Sequence, residues 1–171
     1  MGGKCMATFT IIGAGQEDKY CDDNALKDVI NYITREYQLP DNMIGAYGVT
    51  KNNAAMQMEI VSRTYWKYSN CRLRHWVVSF SEEDHVTLEE VRQIADRSAA
   101  FYKSRYQVIY AIHTDTDNIH IHFVMNRISY RDGKSFSGKF SDFYDYRNHL
   151  AKLCGKYGVK LTEGGAMQFY Y

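Results

Sequence analysis

Hydrophobic positions recur with two different periods along the chain, and the period predicts the element. Met6–Ile12 and Trp76–Phe80 are apolar and β-branched enough to be strands. From Asn24 to Tyr37 the apolar side chains recur every three or four residues, which predicts a helix that Pro40 ends. Lys51–Tyr65 is a second helical candidate. The first half of the chain therefore mixes strands with helices.

The second half contains a capped helix and a hairpin. Thr87 and Glu90 have the spacing of a capping box, in which each side chain satisfies a backbone donor at the start of a helix. Two strand-like segments follow, Tyr106–His113 and Ile119–Ile128. They are joined by five short polar residues that favour a tight turn. The pattern predicts an antiparallel hairpin.

A helix and a short strand are predicted for the last part of the sequence. A helix is predicted from about Ser141 to Tyr157, stopped by Gly158, and a short strand at Val159–Leu161. The full order, βα(β)αβαββαβ, predicts an α+β fold with a mainly antiparallel sheet of about five strands and flanking helices. With 171 residues, a single proline and no repeat, residues 1–171 are expected to form one domain.

Composition narrows the setting of this protein. No apolar run approaches the roughly 20 residues of a membrane span, and the first residues lack a secretory signal, so the protein is expected to stay in the cytoplasm. The four cysteines lie far apart without a CxxC pair, and we expect reduced thiols. The formal net charge of +1 favours no partner by itself, although Arg127–Lys160 carries eight basic and three acidic residues.

Three of the six histidines fall within ten residues. His120 and His122 are one residue apart in a predicted strand, so they share a face of the sheet. If His113 lies opposite His120, Ala111 pairs with His122, and all three imidazoles point the same way. Three imidazoles without a fourth protein ligand are typical of an open metal site, although three solvated histidines would show the same pattern. We expect a divalent ion, open among Mn²⁺, Mg²⁺, Zn²⁺ and Ni²⁺.

Residues His113–Asn126, HTDTDNIHIHFVMN, closely resemble the three-histidine motif of conjugative relaxases, the MobA-type, MOBP-like mobilisation nucleases of the HUH endonuclease class. Val29–Thr34 is similar to the family's first motif, with Tyr32 at the nucleophile position. Trp76–Phe80 is similar to the second motif, whose serine, here Ser79, is associated with the DNA site. The resemblance implies an HUH-type palm with the His-x-His pair on a central strand. It also implies a metal that polarises the scissile phosphate of single-stranded DNA.

Tyr32 is one of 15 tyrosines, so its position on the helix matters. At about 100° per residue it lies about 120° from the centre of the apolar stripe, whereas Tyr37 lies on the stripe. The resemblance implies that Tyr32 attacks the phosphate, giving a 5′-phosphotyrosyl link and a free 3′-hydroxyl that can reverse the step. A rival is Tyr157, in the Tyr-x-x-Lys spacing of replication initiators and transposases, but Gly158 ends the predicted helix there.

The same resemblance and the charge of the chain suggest further site residues, namely a base for the phenol and contacts to the DNA. The phenol must lose its proton to metal-bound hydroxide, a histidine or a carboxylate. Glu82, Glu83 and Asp84 after the second motif are candidates for this base or for orienting a histidine, and a solvated acidic turn fits them equally well. Phosphate contacts would hold the DNA. The residues expected to make them or lie beside the DNA are Ser79, Arg63, Lys67, Arg72, Arg74, Arg127, Arg131 and Lys134. Base stacking is expected from aromatic residues such as Trp66, Tyr68 and Tyr130.

The expected activity is nicking and rejoining of origin-of-transfer DNA from a plasmid or integrative element, with accessory relaxosome proteins as partners. Two other classes stay open. One is a non-catalytic DNA-binding descendant of a relaxase. The other is a small-molecule enzyme with a three-histidine metal, which needs neither Tyr32 nor the basic segments. The sequence also leaves open whether the chain is an excised catalytic domain or a short mobilisation protein.

Overall fold

The computed structural model describes residues 6–13, 16, 19–34, 38–68 and 71–164, and six strands in these ranges form one sheet. In chain order the strands are β1 (Met6–Ile12), β2 (Ile44–Tyr47), β3 (Leu73–Phe80), β4 (Val108–His113), β5 (Ile119–Asn126) and β6 (Lys160–Glu163). Their order across the sheet is β2-β4-β5-β3-β1-β6. Neighbours are antiparallel except β1 and β6, which are parallel. The predicted α+β class and the central position of the His-x-His strand are confirmed.

Four α-helices in the described residues cover the two faces of the sheet. They are α1 (Ala25–Thr34), α2 (Ala54–Thr64), α3 (Leu88–Ala100) and α4 (Phe140–Gly155). Side chains of α1 and α2 pack on one face, which we call the histidine face, together with Ile109, Ala111 and Val124 of the sheet. Side chains of α3 and α4 pack on the opposite face in a larger cluster. The sheet thus lies between two helical layers.

Alternation along β5 separates its chemistry from its packing. Ile121, Phe123 and Met125 are buried in the opposite-face cluster. His120 and His122 point to the histidine face, because successive side chains of a strand alternate. Packing of the apolar side chains on one face of β5 therefore fixes the position of the histidines on its other face.

Asn126, the last residue of β5, connects three elements from a fully buried position. Its Nδ2 donates to the backbone oxygen of Met58 on α2 at 3.0 Å and to Oε1 of Gln107, just before β4, at 2.9 Å. Its Oδ1 accepts from the backbone amide of Ile128 at 3.1 Å and from the hydroxyl of Ser62 at 3.3 Å. These bonds link β5 to α2, so the asparagine that ends the histidine motif has a structural role.

The predicted elements are present, with shifted ends. The capping box forms, since the amide of Thr87 donates to Glu90 at 2.7 Å and the amide of Glu90 donates to Thr87 at 3.2 Å. The first helix is described to Thr34, and Tyr37 lies outside the described residues. Strand β2 occupies the place that the pattern left optional, which makes six strands instead of about five.

Two further expectations concern thiols and membranes. Cys21, Cys71 and Cys154, the three cysteines that the structure describes, form no disulfide. Cys5 lies outside the described residues. In the same part of the chain, every helix is too short or too polar to cross a membrane.

Candidate metal and tyrosine site

The register of the β4–β5 hairpin brings the three histidines of the motif together. His113, the last residue of β4, pairs with His120, and Ala111 pairs with His122, as the spacing predicts. On the other side of β5, Ser79 pairs with His120 and Val77 pairs with His122. Because paired residues of antiparallel strands point the same way, these side chains share the histidine face.

His122 lies at the centre of the group. Its ring centre is 4.4 Å from that of His113 and 6.4 Å from that of His120. The ring of His75, on β3, is 5.5 Å away, and the ring of Tyr32, on α1, is 6.0 Å away and meets it edge-on. Four aromatic groups from four elements therefore surround one imidazole.

Hydrogen bonds hold two of the histidine rings in defined tautomers. Nε2 of His113 lies 2.8 Å from the backbone oxygen of Ile33, an acceptor, so Nε2 carries the hydrogen. The hydroxyl of Thr116 donates to the backbone oxygen of Asn118, and its oxygen is left to accept from Nδ1 of His120 at 3.3 Å. In the neutral rings the lone pair for a metal is then on Nδ1 of His113 and Nε2 of His120.

The donor set fits a divalent ion, and the ring spacing fits it in part. Two imidazoles that share an ion at a metal–nitrogen distance of about 2.1 Å bring their ring centres to within about 5 Å. His113 and His122 meet this condition, whereas His120 must approach to do so. Accordingly, no group of three or more histidine, cysteine or acidic side chains in the described ranges is arranged to hold an ion as it stands. The second partner on each ring is typical of metal-binding histidines.

Burial favours the neutral form of two rings in this group, His122 and His75. Burial lowers the pKa of His122 to about 3, and the nearby His113, His75 and His120 lower it further. Burial lowers the pKa of His75 to about 4, and the charge of Lys19 acts in the same direction. Near pH 7 both rings carry no charge, so a metal would not have to displace a proton from the lone pair of His122.

Tyr32 faces a pocket that adjoins the histidines. It is 39% exposed, whereas Ile30 and Ile33 beside it are buried, so the predicted orientation away from the core is confirmed. The pocket has a volume of about 380 Å³. Its lining residues are Ile12, Tyr20, Asp28, Val29, Tyr32, His75, Val77 and His122. The carbonyl of Ile33 bonds His113, which ties this end of α1 to the histidine group.

Sequence reasoning missed His75, Tyr20 and Asp28. His75 is buried, and its ring lies between the hydroxyl of Tyr20, 3.0 Å from Nδ1, and Nδ1 of His122, 3.2 Å from Nε2. The missing signal was alternation: β3 starts at Leu73, so His75 is on the same face as Ser79. Asp28 lies one helical turn before Tyr32, a spacing that places both on one side of α1.

The acids after β3 lie in a short 3₁₀ helix, Glu82–Asp84. Asp84 is buried, and its Oδ2 accepts from the amide of Ser81 at 2.7 Å and from the hydroxyl of Ser81 at 3.1 Å. Asp84 thus caps this turn. Glu82 and Glu83 are exposed on the turn.

The residues expected at the DNA differ in exposure. Arg63, Lys67, Arg131 and Lys134 are exposed, whereas Ser79, Arg74 and Arg127 are half-buried. Arg72 is only 5% exposed; its guanidinium pairs with Asp23 at 2.9 Å and donates to the backbone oxygen of Tyr68. The guanidinium groups of Arg63 and Arg72 lie 3.9 and 3.8 Å from the ring centre of Tyr68.

Trp66, a candidate for base stacking, and Tyr157, the rival nucleophile, lie in different surroundings. Trp66 follows α2 with a left-handed backbone, φ 56°, and its side chain is 93% exposed. An indole so exposed is available for base stacking. Tyr157 packs at the opposite-face cluster, and its hydroxyl donates to Gln93 on α3 at 2.7 Å. Tyr157 and the histidines therefore lie on different sides of the sheet.

Residues 32–159 match the family model of the MobA/VirD2-like relaxase nuclease domain. The chain belongs to this family. The matched range starts at Tyr32 and includes Ser79 and the three histidines of the motif. The resemblance read from the motifs is confirmed.

Curated relaxase relatives share modest identity with part of the chain. A Staphylococcus aureus protein named Protein rlx is 28% identical over 96 residues, 56% of this chain and 29% of its own length. The group II intron-interrupted relaxase LtrB of Lactococcus lactis is 28% identical over 103 residues, 52% of this chain and 18% of its own length. Protein TraI of Escherichia coli is 31% identical over 131 residues, 72% of this chain and 17% of its own length. The chain thus spans less than a third of each of these relatives.

Proposed function

We propose that this relaxase-family chain nicks one strand of DNA and rejoins it, with Tyr32 as the nucleophile and His113, His120 and His122 as ligands of a divalent ion. The observation that carries the proposal is the edge-on approach of Tyr32 to His122, at 6.0 Å between ring centres. An exposed phenol beside these imidazoles can reach a phosphate that is held by an ion bound to them. Since all these residues belong to one sheet and its helices, we also propose one domain over residues 1–171.

The reaction is a transesterification, in which one phosphoester bond is exchanged for another. Oη of Tyr32 attacks phosphorus, the Oη–P bond forms, and the bond from phosphorus to the 3′ oxygen breaks. The phenol loses its proton and the 3′ oxygen gains one, so the products are a 5′-phosphotyrosine and a free 3′-hydroxyl. When bound, the ion would polarise the scissile phosphate and offset its charge. The reverse attack by the 3′-hydroxyl restores the strand.

Asp28 is the acceptor that we propose for the phenol proton. Asp28 lines the pocket that Tyr32 also lines, and it lies one turn before Tyr32 on the same helix. Glu82 and Glu83 are exposed on the 3₁₀ turn after β3, and Asp84 caps that turn. Tyr20, the other phenol of the pocket, is a poor nucleophile, since burial raises its pKa to about 12, with Cys71 and Tyr32 acting in the same direction.

The substrate that we propose is single-stranded origin-of-transfer DNA, with accessory relaxosome proteins as partners in the cell. Exposed Arg63 and Lys67 flank the exposed Trp66 at the end of α2. Positive charges interleaved with an aromatic side chain suit phosphates and bases of a single strand. Arg131 and Lys134 offer a second exposed basic segment.

Covalent capture of DNA tests this proposal. End-labelled single-stranded oligonucleotides that span candidate transfer origins are incubated with the protein in Mn²⁺ or EDTA and run on a denaturing gel. We expect a protein-linked band that needs Mn²⁺ and is absent with Tyr32→Phe. The control is Tyr144→Phe, because Tyr144 is 41% exposed, close to the 39% of Tyr32.

Other outcomes would favour the other two classes. Tight single-strand binding without an adduct on any origin would point to a non-catalytic descendant of a relaxase. Neither binding nor an adduct would point to a small-molecule enzyme with a three-histidine metal. An adduct of normal yield with Tyr32→Phe would remove Tyr32 from its role.

A further inference from the structure

We propose that His75 is a positioning residue of the metal site, which accepts a hydrogen bond from Nδ1 of His122 and donates one to the hydroxyl of Tyr20. The chain of contacts Tyr20–His75–His122 then decides which nitrogen of His122 is offered to an ion. This inference rests on the proposed function, because it presumes that His122 is a ligand.

The geometry gives His75 two partners and little freedom. Its side chain is 5% exposed on β3, two residues before Val77, which pairs with His122 across the sheet. Nδ1 of His75 is 3.0 Å from the hydroxyl of Tyr20, and Nε2 is 3.2 Å from Nδ1 of His122. Both nitrogens of His75 are therefore engaged, and its Nε2 lies against Nδ1 of His122.

Metal binding by His122 requires that the hydrogen bonds between His122, His75 and Tyr20 all run in one direction. Since Nδ1 of His122 faces His75, the ligating atom is Nε2, which must carry a lone pair. The hydrogen of the neutral ring is then on Nδ1 and is donated to Nε2 of His75. The hydrogen of His75 must in turn lie on its Nδ1 and be donated to the oxygen of Tyr20.

The opposite order would disable the ligand. If the hydroxyl of Tyr20 donated to His75, and His75 to His122, the hydrogen of His122 would lie on Nε2, where the ion should bind. His113 and His120 do not face this choice, because the carbonyl of Ile33 and the hydroxyl of Thr116 already fix their tautomers. His122 is the ring whose tautomer depends on a partner that can reverse.

Tyr20 is itself held in place. Its backbone is left-handed, φ 64°, and its carbonyl accepts from the amide of Arg72 at 2.8 Å. Arg72 in turn pairs with Asp23, just before α1. The hydroxyl of Tyr20 is thus a fixed end point for the chain of bonds.

An imidazole in this place differs from the carboxylate that often orients a metal-binding histidine. An imidazole carries no negative charge, so His75 adds none beside the ion. The ion would keep more of its positive charge for a phosphate, which suits a site that binds DNA.

Metal affinity measured without DNA tests the inference apart from catalysis. Mn²⁺ titration calorimetry is run on the wild type, His75→Ala, His75→Gln and His122→Ala. We expect His75→Ala to weaken Mn²⁺ binding about 10- to 100-fold, the usual cost of removing such a partner. His75→Gln should recover most of the affinity, since its amide oxygen can accept from His122. His149→Ala, on α4 across the sheet, should bind Mn²⁺ like the wild type.

A second readout uses the wild type alone and so survives a folding defect of the alanine variant. Long-range ¹H–¹⁵N spectra of the Zn²⁺-loaded protein should show His75 protonated at Nδ1 and unprotonated at Nε2. Protonation at Nε2 would overturn the inference. The inference would also be overturned if folded His75→Ala bound Mn²⁺ as tightly as the wild type while His122→Ala did not bind it. That result would leave the proposed metal site in place. Absence of Mn²⁺ binding by the wild type would overturn the metal site and this inference together.

Discussion

The ring of Tyr32 meets the ring of His122 edge-on, with centres 6.0 Å apart and planes at 83°. One residue belongs to α1 and the other to the central strand β5, so the contact joins the layer that carries the phenol to the sheet that carries the imidazoles. The bond from His113 to the carbonyl of Ile33 holds the same two layers together one residue further along α1. The packing of α1 against the sheet thus sets the position of Tyr32, the proposed nucleophile, relative to the proposed metal ligands.

Metal binding should stabilise the folded protein. An ion that binds the native state alone adds about 2.7 kcal/mol at a free concentration 100 times its Kd. We expect Mn²⁺ to raise the melting temperature, EDTA to reverse the rise and His122→Ala to abolish it. Differential scanning calorimetry makes the measurement. An equal rise in His122→Ala would place the ion elsewhere.

Asp28→Asn should slow nicking by about 100-fold, the scale of a lost general base. The change keeps the size of the side chain and leaves Tyr32 and the histidines in place, so Mn²⁺ and DNA affinities should not change. Single-turnover nicking rates against pH provide the measurement. Asp22→Asn, also exposed and just before α1, is the control and should nick at the normal rate. A normal rate with Asp28→Asn would return the role of base to another group.

The sequence predicted what repeats along the chain and missed what depends on close packing. Alternation and hairpin spacing placed His113 opposite His120, because register follows from backbone geometry. His75 was missed because the predicted strand began at Trp76, which hid the face that His75 shares with Ser79. The sequence pattern placed no residues in strand β2, because the strand is only four residues long and includes Gly45. The ring of Tyr110 packs against this glycine.

Burial was the other property that pattern could not supply. Arg72 and Arg74 look alike in a basic stretch, yet the guanidinium of Arg72 is paired with Asp23. Asp84 is adjacent to Glu83 in the sequence, but its carboxylate turns inward to cap Ser81. Which charge faces solvent depends on how α2 and the 3₁₀ turn pack, and neither leaves a periodic signal.

Asn126→Ala should destabilise the fold by about 3 kcal/mol. The change leaves buried partners in α2 and beside β4 without their hydrogen bonds. Urea unfolding followed by circular dichroism measures the loss. Asn148→Ala, exposed on α4, is the control and should stay within about 0.5 kcal/mol of the wild type. Equal stability of the two variants would refute the structural role of Asn126.

Lys67→Ala and Arg72→Met should have opposite profiles. Lys67 is exposed, so its loss should leave the melting temperature unchanged and reduce the salt dependence of single-strand binding by about one unit of slope. Arg72 is buried against Tyr68 and Asp23, so its loss should destabilise the fold by about 2 kcal/mol. Fluorescence anisotropy across salt concentrations and thermal unfolding separate the two. A full salt slope in Lys67→Ala would exclude a phosphate contact there.

The most direct test of the account locates the nucleotide on the protein. Trypsin separates the candidate tyrosines, because Tyr20, Tyr32 and Tyr157 fall in the different peptides 20–27, 28–35 and 157–160. Mass spectrometry of the digested adduct, after nuclease trimming of the DNA, should find the phosphonucleotide on peptide 28–35 alone. Finding it on peptide 20–27 or 157–160 would contradict the central claim that Tyr32 beside His122 is the nucleophile.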